Sequence, residues 1–94
     1  MSGEYNGQRT LKGAAQRGLL KLMLKLPSVR GKIQVLAARS ESLVSMCEAY
    51  GEASSMLERL ESGRAVNEGG ILDEYRAICT EIENDVIRYC LDHR

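Results

Sequence analysis

Between Leu43 and Tyr89 the apolar residues recur at alternating intervals of three and four, twice over, with a glycine-rich break between the two runs. The first run is Leu43, Met46, Tyr50, Ala53, Leu57 and Leu60; the second is Leu72, Tyr75, Cys79, Ile82, Val86 and Tyr89. Spacing of this kind places every member on one side of an α-helix and is incompatible with the two-residue period of a strand. Residues 63–70, Gly-Arg-Ala-Val-Asn-Glu-Gly-Gly, have the length and composition of a turn between two helices. Two matched seams joined by a short turn predict an antiparallel helical hairpin with coiled-coil-like packing, in which Leu60 faces Leu72, Tyr50 faces Ile82 and Leu43 faces Tyr89.

The rest of the chain is read around that hairpin. Residues 1–9 are polar and contain glycine, which predicts a flexible tail. Over residues 10–26, Leu11, Ala15, Leu19, Leu22, Met23 and Leu26 fall on one face, with Thr10 as the capping residue and Arg17, Lys21 and Lys25 pointing the other way. The stretch Leu20–Leu26 also alternates as a strand would. Leu, Lys and Met are good helix formers and no β-branched residue interrupts them, so a basic amphipathic helix is expected. Gly13 and Gly18 weaken it. Pro27 ends it, because the residue before a proline is pushed out of the helical region. Ser28 then caps a long helix over residues 28–62 that Gly63 terminates, with Ser40-Glu41-Ser42 as the place where it could break. A third helix spans residues 71–92. The whole is expected to be a single all-α domain covering residues 1–94.

The chain has 94 residues, no Phe, no Trp and four Tyr, so its core must come from aliphatic seams between helices. A chain this short buries a modest core, and Ile33, Val44, Ile71, Ile78 and Ile87 remain apolar beyond the two seams. Covering them requires the first helix or a second copy, which predicts a helical bundle completed by dimerisation. No run approaches the roughly 18–20 apolar residues of a membrane span, and the N-terminal residues lack the pattern of a secretory signal. Three cysteines without framework spacing fit reduced thiols in a cytoplasm.

Chemistry is sparse. Cys90 and His93 share a helix face but lack the further ligands a closed zinc site requires. There is one histidine, no serine with a base at a suggestive spacing, and no glycine loop placed after a strand to cradle phosphate. No catalytic, cofactor or metal residue is therefore expected, and the protein is expected not to be an enzyme.

Charge is more informative. Residues 1–40 hold eight basic side chains against Glu4 alone, whereas residues 41–94 hold twelve acidic against five basic. The formal net charge of zero thus conceals halves of opposite sign. Arg17, Lys21, Lys25, Arg30 and Lys32 are the candidate contact residues. They could lie along phosphates, rest on an anionic membrane surface, or face the acidic half of the fold. No aromatic lies near them for base stacking, and no helix-turn-helix pattern is present.

The stretch Cys47-Glu48-Ala49-Tyr50 through Leu57-Glu58-Arg59-Leu60, followed by Asp73-Glu74-Tyr75-Arg76 and Glu81-Ile82-Glu83, resembles small uncharacterised proteobacterial helical-hairpin proteins. In these a C-x-x-Y…A-x-x-x-L-E-R helix precedes an E-Y…E-I-E helix. The resemblance covers residues 43–90 and implies a bacterial helical hairpin; it carries no activity and no functional residues. Sequence therefore leads to a small non-enzymatic regulatory adaptor that binds an unknown protein partner, as a cytoplasmic homodimer. The alternative is a nucleic-acid-associated protein that uses the basic N-terminal region.

Overall fold

The computed structural model describes residues 11–93, and these form helices without any strand. The order is α1 (Gly13–Lys25), a 3-10 turn (Pro27–Val29), α2 (Arg30–Ala37), α3 (Glu41–Glu61) and α4 (Ile71–Asp92). The expected tail over residues 1–9 and the Thr10 cap lie outside the described residues.

The long helix expected over residues 28–62 is instead three pieces. Pro27 occupies the first position of the 3-10 turn, and Ser28 caps nothing. The main break comes at Ser40, whose backbone is extended (φ −123°, ψ 114°) and whose Oγ accepts from the Leu43 amide at 3.2 Å. That bond satisfies one of the free donors at the start of α3, and Glu41 adds an acidic side chain at the positive helix end. Packing explains why the break is favoured. Ala37 and Leu43 are six residues apart, so an uninterrupted helix would turn them about 120° away from each other. Breaking the helix brings Ile33 and Ala37 into the same core as Leu43 and Cys47.

Contacts between α3 and α4 descend one helix as they ascend the other. Glu61 Oε2 meets Arg76 Nε at 3.5 Å, the Tyr50 hydroxyl donates to Glu83 Oε2 at 2.5 Å, and Ser40 Oγ lies 2.6 Å from the Tyr89 hydroxyl. Of the seam residues, Leu43, Tyr50, Leu60 and Val86 are buried, while Met46, Leu57, Tyr75, Ile82 and Tyr89 pack partly buried against the core and Leu72 is half-buried. The connection over residues 62–70 starts with Gly63 at φ 81°, a left-handed residue that lets the Arg64 amide reach the Arg59 carbonyl at 2.8 Å and closes α3. It ends with Asn67 Oδ1 accepting from the Leu72 amide at 2.9 Å.

A close helix approach lies elsewhere, between α1 and α3. A β-carbon built on Gly18 would sit 1.7 Å from the Cys47 carbonyl oxygen, and one built on Gly51 would sit 2.0 Å from the Ala14 carbonyl oxygen. The two backbones touch through these glycines. Gly18, which sequence propensity marks as a weakness of the first helix, is thus what lets that helix dock. Beyond the crossing, Leu22 of α1, Ile33 of α2, Leu43 and Cys47 of α3, and Val86 and Cys90 of α4 are all fully buried. One aliphatic and thiol core therefore joins all four helices, each buried Leu, Ile or Val contributing about 1.5–3 kcal/mol.

Candidate functional site

The docked face of α1 determines what the rest of that helix can do. Ala14, Gly18 and Leu22 lie toward α3, and Lys21 follows them inward. Its ammonium donates to Ser54 Oγ at 3.1 Å and pairs with Glu58 Oε2 at 3.0 Å. Leu19, Met23 and Leu26 pack against the core on one flank. The opposite flank carries Arg17, Leu20 and Leu24 at intervals of three and four, which aligns them along a single stripe. Leu20 is 53% exposed and Leu24 is 78% exposed. Lys25 is exposed as well but lies about 140° around the helix from Leu20, on the side that faces α3. The result is an outward apolar stripe headed by Arg17, on a helix whose other side is fixed.

Beside this stripe lies an open groove of about 390 Å³. Lys21, Leu24 and Lys25 of α1 form one wall, Glu58 and Glu61 of α3 rise opposite, and Tyr50, Ser54 and Cys79 line it below. Its carboxylates are already engaged: Glu58 by Lys21, Glu61 by Arg76 and Glu83 by the Tyr50 hydroxyl. Burial and then the neighbouring Glu83 carboxylate push the Tyr50 hydroxyl above its ordinary pKa, which keeps it a donor.

The thiols are equally quiet. Burial, with a smaller effect from Cys90, raises Cys47 to about 11, and burial raises Cys79 and Cys90 as well. Buried thiols held protonated are poor nucleophiles and poor metal ligands. Cys90 is fully buried, while the exposed His93 ring stacks on Tyr89 at 3.8 Å, so the two do not converge on a shared ligand position. Among the described residues no cluster of three or more His, Cys, Asp or Glu side chains is placed to hold a metal ion.

The five basic residues singled out in the sequence are split by the fold. Lys21 turns inward rather than outward, because the glycine crossing brings α1 close enough for its ammonium to reach α3. Lys32 of α2 donates to the Cys90 carbonyl at 3.1 Å, a cation near the negative end of α4. Arg17, Lys25 and Arg30 are exposed and form no ion pair with any described residue. The exposed pair Leu20 and Leu24 was not singled out in the sequence, although its spacing off the main apolar stripe was visible there. Comparison with protein-family models, with curated proteins and with solved structures finds no match to this chain. No helix of the described residues is long and apolar enough to cross a membrane.

Proposed function

We propose that this protein is a small non-enzymatic adaptor that acts by binding another protein through the outer face of α1. The observation that carries this reading is the exposure of Leu20 and Leu24 beside Arg17, on a helix anchored by its opposite side. Two exposed leucines one turn apart are the anchors by which helices seat in partner grooves, and burying one completely is worth about 1.5–3 kcal/mol. Cations beside such anchors select acidic partners and speed encounter. In this reading α3 and α4 form an antiparallel hairpin that serves as the scaffold, and the protein works in a bacterial cytoplasm.

Binding of nucleic acid is the second reading. Arg17, Lys25 and Arg30 favour it, being exposed cations without ion-pair partners among the described residues. Leucines set among these cations favour a protein instead, since phosphate backbones reward charge and not apolar anchors.

A photo-crosslinking residue placed at position 24 in living cells separates the two. The adaptor reading expects adducts with a protein of different mass from this chain, lost when Arg17 is reversed to Glu. Adducts with nucleic acid alone, or none at all, overturn it.

A further inference from the structure

We infer that the exposed stripe of α1 also pairs with the outer edge of α4 in a second copy of the chain. This rests on the reading of the α1 face as a recognition surface and adds a ligand for it: the protein itself.

On α4, Glu74, Ile78, Glu81 and Asp85 follow one another at intervals of four, three and four, which places them on one stripe. All four are exposed, Ile78 by 40%. Ile71, Tyr75 and Ile82 lie half-buried alongside. Glu74 and Glu81 form no ion pair with a described residue, and Asp85 meets only Arg88 on its own helix, at 3.2 Å. This edge is the complement of the α1 stripe. One presents two leucines headed by Arg17; the other presents an isoleucine flanked by carboxylates. Helices pack with side chains of one between those of the other, so Leu20 and Leu24 can straddle Ile78 while Arg17 approaches the flanking carboxylates.

The two stripes cannot meet within one molecule. The side of α4 that shares the groove with α1 carries Glu83. Ile78 lies about 140° around the helix from Glu83, at 100° per residue, and so faces away from α1. Only a second copy can bring the acidic edge to the basic stripe. The opposite charges of the two halves of the sequence thereby acquire a use: they make the molecule complementary to itself. A partner protein competes with that contact, so self-association caps the recognition face and dilution or a tighter acidic partner uncovers it.

Sedimentation of the purified full chain with two charge-reversed forms tests this contact. One form carries Arg17→Glu, the other Glu74→Lys and Glu81→Lys, all at exposed positions, with circular dichroism confirming that both remain helical. The wild type should associate at low salt, with affinity falling at least tenfold at moderate salt. Each reversed form alone should stay monomeric where the wild type associates, and mixing the two should restore association. A monomeric wild type at all concentrations, or association that neither reversal disturbs, overturns the inference. In that event cross-links from position 24 to a different protein would still uphold the adaptor reading, so the two fail separately.

Discussion

Where an alanine at position 18 would carry its β-carbon, the carbonyl oxygen of Cys47 already stands 1.7 Å away. The obstacle is backbone within a helix, so it cannot swing aside as a side-chain tip would. Gly18→Ala should therefore destabilise the protein by about 1–3 kcal/mol, the usual cost of overpacking, even though alanine is the better helix former. Gly31→Ala is the control. Gly31 lies in α2 with open space around its Cα, so the same change there should stabilise by up to about 1 kcal/mol. Urea unfolding midpoints of the two variants should move in opposite directions. Propensity alone cannot see this difference, because it assigns both glycines the same penalty. What distinguishes them is the position of α3, and Gly51 is far from Gly18 in the chain. The spacing of Ala14 and Gly18, two small residues one turn apart, was the trace of the crossing in the sequence.

At the scale of elements, the apolar seams of α3 and α4 were legible because a repeat of three and four has one physical meaning, and their residues are buried or half-buried as that repeat requires. The division of residues 28–62 was less legible. Ser40 is a good capping residue, but whether it caps depends on Ile33 and Ala37 finding a core to enter, which is a tertiary fact. Ser40 holds two things at once, the Leu43 amide and the Tyr89 hydroxyl. Ser40→Ala should therefore cost about 1–2 kcal/mol through the lost cap and the lost side-chain bond together. Tyr89→Phe, which removes only the second, should cost less. Thermal or urea unfolding of both variants measures the difference, with far-UV circular dichroism expected to stay close to wild type. The candidate site follows the same logic: Arg17, Lys21 and Lys25 were visible as a basic series, but which of them turns inward depended on how close α3 comes.

Seen whole, the molecule is a helical layer of α3 and α4 with α1 and α2 laid against it, basic toward the N-terminal part and acidic toward the C-terminal part. The central claim is that α1 is held by its inner face, leaving its outer face for recognition. A helix of this length is marginal in water by itself, so its order must come from docking on α3. Amide hydrogen exchange, read residue by residue in dilute and in concentrated solution at low salt, tests this most directly. In dilute protein, the amides of Leu19 to Lys25 should be protected to within about tenfold of those in the middle of α3, because both open only by subglobal unfolding. On concentration, protection should rise further in Leu20 to Lys25 and in Ile78 to Asp85. Free exchange throughout α1 in dilute solution, while α3 and α4 stay protected, would contradict the account, since an undocked α1 has no fixed outer face to offer.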